Sequence, residues 1–217
     1  KIANSYMAFT SNEFALDPNH LHIWPRGRFM LIALPNPDKT FTATLFLSHN
    51  GNKLSFEQLE NPQEVVHFFK QQFPDIIDLI PDLSEQFAHN PTSKLGMIKC
   101  FPWHKKSALI MGDSAHAIVP FYGQGMNAGF EDCRLFIDEL TTHQFDWKKA
   151  MNSFQQTRKK DTDAIAYLAL KNFMEMRDHV ANERFLDQKS LEAELHKLYP
   201  EDWVPLYTMV TFTDMPY

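Results

Sequence analysis

Cysteine, glycine and positive charge are scarce in this chain, and long apolar runs are absent. The two cysteines, Cys100 and Cys133, cannot build the multi-bridge framework of a small disulfide scaffold. Both sit among apolar or helical neighbours, so they are expected to be buried free thiols in a reducing compartment. Apolar runs such as Phe29 to Leu34 are far short of the roughly 20 residues of a membrane span, and no leader pattern is visible. A formal charge of −6 leaves no electrostatic footprint for nucleic acid. The basic triplet Arg158-Lys159-Lys160 falls within a helical pattern and reads as a solvated face. His20, His22, His104 and His116 show no zinc spacing with a matching cysteine or carboxylate, so no metal site is expected. There is no GxSxG elbow, and Asp113-Ser114-Ala115-His116 is too local to serve as a nucleophile and its base. A GxGxxG fingerprint is also missing. Both ends, Lys1 in place of a methionine and Tyr217 straight after an apolar segment, read as cut.

What remains is an ordinary globular composition, 44% hydrophobic, with enough length to bury a substantial core. The 19 phenylalanines are expected mostly to fill that core, with some lining a flat apolar pocket. Residues up to about 105 read as mostly strand. The run 28–35 is apolar on both alternating faces, Met30, Ile32 and Leu34 on one and Phe29, Leu31 and Ala33 on the other, which predicts a strand covered on both sides. The run 40–48 alternates, with Phe41, Ala43, Leu45 and Leu47 on its apolar face. Phe46 falls on the opposite face with Thr42 and Thr44, where it meets either a second layer or a ligand; packing is the better reading of one aromatic. Asn61-Pro62-Gln63-Glu64 opens a helix in good order and Pro74 closes it. Short helical pieces follow to Pro91, then a strand from Leu95 to Trp103.

Helices dominate beyond residue 105: one from Gly125 to about Leu140, a long one capped by Asp146 and running from Trp147 to about His179, and an amphipathic one over 187–199. The segment 203–212 fits helix or strand. Between the two halves lies the stretch 107–133. Its apolar run Ala108–Met111 predicts a buried strand ending at Gly112-Asp113, a usual place for a group that touches a ligand. Four of the seven glycines fall between 112 and 129. The cluster GQGMNAG is spaced GxGxxxG and follows its strand only after ten residues. It either makes a tight helix entry or presents backbone N–H groups to an electron-rich ligand at a helix start.

Gly112-Asp113-Ser114-Ala115-His116, then Pro120, Gly123-Gln124-Gly125, Asn127, Gly129 and Asp132, resembles the second flavin motif of the single-component aromatic hydroxylases, the para-hydroxybenzoate hydroxylase class. The resemblance is closer still to the kynurenine-hydroxylating branch of that class. Leu21 to Gly27 and Phe29 to Asn36 look like that branch's substrate-domain signature, and Pro120 to Asp132 like its flavin loop, with Ser114 where alanine is usual. The match extends over nearly the whole chain.

The resemblance implies an α/β fold with α+β character in this piece. Residues 1–105 would form the substrate-domain sheet with short helices, 106–140 the second half of the FAD-binding domain, and 141–217 a shortened C-terminal helical region. It implies FAD, NADPH as transient reductant, O2, and L-kynurenine hydroxylated at ring position 3, with no side chain needed as general acid or base. Gly112, Asp113, Pro120, Gly123, Gly125, Met126 and Asn127 would hold the flavin, Met126 and Asn127 through backbone groups. Asn172 and Tyr207 match partners of the kynurenine carboxylate. Leu21, Met30, Ile32, Leu34, Phe46, Pro120, Phe121, Tyr122, Gln124 and Met176 match the pocket lining. The nucleotide-binding βαβ unit, and an Arg and a Tyr that grip the carboxylate, have no counterpart in this chain. The resemblance implies a cytoplasmic location if the source is bacterial and allows the mitochondrial outer membrane if it is eukaryotic. A relative acting on another aromatic acid, and a non-catalytic ligand-binding fragment, are the competing readings.

Overall fold

The double-sided apolar run and the alternating run after it become neighbouring strands of one antiparallel sheet. The computed structural model describes residues 2–9, 16–51, 54–179 and 182–217, with backbone alone for 2–9 and 178–179. The chain divides into two compact units, residues 1–95 with 176–182 and residues 96–175 with 183–217.

In the first unit the strands are β1 (Ile2–Phe9), β2 (His22–Pro25), β3 (Met30–Pro35), β4 (Phe41–Ser48) and β5 (Ser93–Lys94), in the order β2-β3-β4-β1-β5. Register pairs Leu31 with Leu45 and Ala33 with Ala43, and on the other face Met30 with Phe46 and Ile32 with Thr44. Directly opposed residues share a face, so period two sorts each strand into two sets. The set with Leu31 and Leu45 packs under α1 (Pro62–Gln72) and α2 (Leu83–His89), where Phe68, Phe69 and Phe73 fill the core. Asn61 caps α1 as expected, its side chain accepting from Glu64 N at 2.9 Å. At the other end Arg26 Nε donates to Gln72 O at 2.8 Å, with its guanidinium 5.0 Å from the Phe73 ring centre. That contact satisfies one of the carbonyls a helix C-terminus leaves open.

Several expectations need correction here. Helices take much of the first hundred residues, and β1 is a strand that the pattern did not single out. Leu34 is 43% exposed, so β3 is covered on both faces only as far as Ala33. Residues 95–103 form no strand. Proline at 102 lacks an N–H for a ladder, and the segment's groups go elsewhere: Ile98 N–H to Ala117 O, and Trp103 N–H to the side-chain oxygen of Gln155.

The second unit begins with the hairpin β6 (His104–Lys105) and β7 (Ala108–Leu109), then α3 (Asp113–His116), α4 (Gly125–Thr142), α5 (Trp147–Met174), α6 (Glu183–Leu198) and α7 (Leu206–Phe212). The expected buried strand 108–111 shrinks to β7, whose only partner among the described residues is β6; Ala108 is exposed and Ile110 37% exposed. Asp146 caps α5 through Lys149 N at 3.1 Å. The helix passes into a π-helical turn at Glu175–His179, close to the expected end. The ambiguous segment near 203–212 resolves as α7. Cys100 is half-buried, but Cys133 is exposed on α4, against expectation. No helix among the described residues is long and apolar enough to cross a membrane.

Candidate functional site

Gly112 ends the run from β7 with φ 56° and ψ −142°, a conformation that favours glycine. It turns the chain into α3, whose first residue, Asp113, is exposed. Among the described residues the Asp113 carboxylate has no hydrogen-bond or ion-pair partner. A single 3-10 turn, Pro120–Tyr122, leads to Gly123 at φ 68° and then into α4. The first intrahelical bond of α4 is Ala128 N to Gln124 O. The N–H groups of Gly125, Met126 and Asn127 precede it and have no partner among the described residues, as the first turn of a helix requires. Met126 is 71% exposed and Asn127 is exposed too. The arrangement thus offers one acceptor carboxylate and a group of amide donors at the positive end of an 18-residue helix.

The loop before the helix faces inward. Phe121 and Tyr122 are buried, and Asn172 Nδ2 on α5 donates to Phe121 O at 2.7 Å. Phe121 lies 4.5 Å from Phe173 by ring centres, and Tyr122 stacks on Tyr207 at 5.5 Å. Burial, with Glu175 and Tyr207 nearby, pushes the Tyr122 hydroxyl up to about 12. Gln124 Oε1 receives Asn127 Nδ2 at 3.1 Å and the Tyr217 hydroxyl at 3.2 Å.

Beneath this surface lies a buried polar network that the sequence reading missed. Asp132 on α4 is fully buried. Its Oδ2 accepts from Gly112 N at 2.8 Å and from His116 Nε2 at 2.6 Å, and its Oδ1 from Arg158 Nε at 2.8 Å. Arg158 also donates to Ala128 O at 3.2 Å and pairs with Glu131 at 2.8 Å. Burial works against ionisation of Asp132, but the bonds from His116, Arg158 and Gly112 outweigh it and hold the carboxyl below its ordinary range. Arg158 is 2% exposed, so its reading as a solvated face is wrong. The signal was available: 151, 154, 158, 162 and 165 form one stripe at helical spacing, and every other member is buried.

The residues singled out from the sequence fall into two sets. Gly112, Asp113, the run Pro120–Asn127, Asn172 and Tyr207 gather in the second unit, on α3, the loop, α4, α5 and α7. Met30, Ile32, Leu34 and Phe46 share one face of the sheet in the first unit, which also holds Leu21 before β2 and Met176 in the π-helical turn. Leu21 is 43% exposed, whereas Met30 and Phe46 are buried.

A family model described as an FAD binding domain matches residues 57–160. Kynurenine 3-monooxygenase from Flavobacterium psychrophilum is 52% identical over 205 residues, 94% of this chain and 46% of the relative. The protein of the same name from Cytophaga hutchinsonii is 50% identical over 218 residues, covering 100% of this chain and 47% of the relative. The chain therefore spans about half the length of the curated relatives it matches. Among solved structures, Klebsiella pneumoniae HpxO, complexed with FAD and uric acid, superposes with a TM-score of 0.59 over 88% of this chain and 48% of that one. At 14% identity that similarity speaks for the fold alone. The architecture is that of the FAD-dependent monooxygenases.

Proposed function

The chain belongs to the kynurenine 3-monooxygenase family, and from that premise we propose that the complete protein hydroxylates L-kynurenine to 3-hydroxykynurenine with FAD, NADPH and O2. The observation that carries this reading is identity at about half of all positions with relatives of that name, across almost the entire chain. Reaction balance requires NADPH, a proton, O2 and kynurenine to give NADP, water and the hydroxylated product. In this reading residues 1–105 supply the substrate-domain sheet, 106–140 the second half of the flavin domain, and 141–217 the helical region beside it.

The donor set of the second unit suits a flavin. Asp113 offers an acceptor to the hydroxyls of a sugar-alcohol chain. The amides of Gly125, Met126 and Asn127 offer donors to carbonyl oxygens at the edge of the ring system, where the helix end favours negative charge. The chemistry supplied by bound FAD is acceptance of hydride from NADPH and activation of O2 for transfer of one oxygen atom to an electron-rich ring. The protein residues orient and shield. Phe121 and Tyr122 present an apolar wall that keeps water from the reacting atoms. Tyr207 and Asn172 serve as polar partners of the kynurenine carboxylate. Asn172 also holds Phe121 O, so one side chain sets both the wall and the anchor.

The test uses the complete protein saturated with FAD. Kynurenine should stimulate NADPH consumption and 3-hydroxykynurenine should accumulate; absence of hydroxylated product, or turnover only with another aromatic acid, overturns the assignment. In the same assay Tyr207→Phe and Asn172→Ala should each raise the kynurenine KM about tenfold, the usual cost of losing a hydrogen bond to a charged group. Unchanged KM in both variants removes them from the carboxylate site.

A further inference from the structure

The proposed flavin anchor has two halves far apart in sequence, Asp113 on α3 and the amides at the start of α4. Both are tied to one side chain. Asp132 takes the N–H of Gly112, the residue next to Asp113, and the Nε2 proton of His116 at the end of α3. Arg158, bonded to the other oxygen of Asp132, reaches Ala128 O, the residue next to Asn127. The two backbones also touch: a Cβ on Gly112 would lie 3.9 Å from Gly129 Cα, and a Cβ on Gly129 the same distance from Gly112 Cα. An apolar contact could hold the segments close. Only directed hydrogen bonds fix how the peptide at Gly112 is rotated, and with it the direction of Asp113.

We propose that Asp132, braced by Arg158 and His116, is a positioning residue for the cofactor: it sets Asp113 and the α4 amides in mutual register for FAD without touching the flavin. The proposal rests on the flavin reading above. It assigns a role in cofactor affinity to three buried residues that a hydrolase or surface interpretation would misplace.

The experiment measures FAD affinity by fluorescence quenching on the complete apoprotein, with thermal stability recorded for every variant. Asp132→Asn should weaken FAD binding about tenfold or more, the effect of losing charge-assisted hydrogen bonds. His116→Gln, a milder change that keeps a donor, should weaken it by less and carries the test if Asp132→Asn does not fold. The kynurenine KM at saturating FAD should stay near wild type in both. Leu140→Ala, buried near the far end of α4 and away from the network, is the stability control: it should lower the Tm with FAD affinity unchanged. If the network variants lower the Tm but bind FAD as Leu140→Ala does, the role is structural only and the proposal fails. If the wild-type complete protein binds no FAD, the flavin reading falls and the proposal with it.

Discussion

The two units solve the same packing problem with different materials. In the first, the sheet and α1 and α2 enclose leucines and phenylalanines, and among the described residues only Thr44 and Ser55 are buried polar groups. Its strong polar contacts sit at the rim, such as Trp24 Nε1 to Asp75 Oδ2 at 2.6 Å. In the second, Trp103, Ala115 and Phe154 form a small apolar core beside buried His116, Gln124, Asp132, Gln155, Arg158, Thr162 and Asn172. Apolar burial is non-directional and suffices for a platform. Holding a loop in one conformation needs groups that specify angle as well as distance, and the second unit contains them where the loop is.

The sharpest way to break this contrast is to remove one keystone from each side. Asp132→Ala leaves Arg158 without its closest buried partner and should cost about 3–5 kcal/mol. Phe69→Ala in the first core should cost a similar 3–5 kcal/mol through lost burial and a cavity. The difference should appear in hydrogen exchange: the first variant exposes α3 and the amides around Gly112, the second exposes α1 and the sheet. Equal loosening of both units by both variants would dissolve the distinction.

Acid should separate the units next. The folded state holds the Asp132 carboxyl below its unfolded value, so it contributes stability that is fully present above the unfolded value, near 3.9, and lost as pH falls through the lower folded one. Lowering the pH from 5 toward 3 should therefore weaken exchange protection around Gly112 and Asp132 before it reaches the Phe69 core. Early loss at α1 would count against the assignment. The smallest effect is a control that should show no contrast. Asn61→Ala and Asp146→Ala each remove one helix cap and should each cost about 1 kcal/mol by chemical denaturation, because cap chemistry is the same in both units.

The same contrast explains what was legible. Leu31, Leu45, Met30 and Phe46 sort correctly because period two is a local property, and Asn61-Pro62 marks α1 by its own chemistry. The likeness of Gly112–Asp132 to a flavin motif named the loop without showing what holds it. Asp132 lies twenty residues from Gly112 and twenty-six from Arg158, and no periodicity records those bonds. Arg158 was obscured by its neighbours Lys159 and Lys160, although the buried stripe passes through it. Residues 95–103 carry strand-like apolar alternation, but a strand also needs a neighbour, and the sequence does not say that Gln155 takes its place.

The strand order of the sheet has a consequence for how the protein comes into being. β1 precedes β2, β3 and β4 in the chain, yet it lies between β4 and β5, while β2, β3 and β4 follow one another as sequential neighbours. Its pairing with β4 waits until residues 41–48 emerge from the ribosome, and its pairing with β5 until residues 93–94 arrive. Long-range pairings of this kind are slow to close and leave an edge open to other chains in the meantime. Translation of the α1–α2 segment is therefore a period of aggregation risk, because β1 to β4 can already pair while the β1–β5 pairing still waits for residues 93–94.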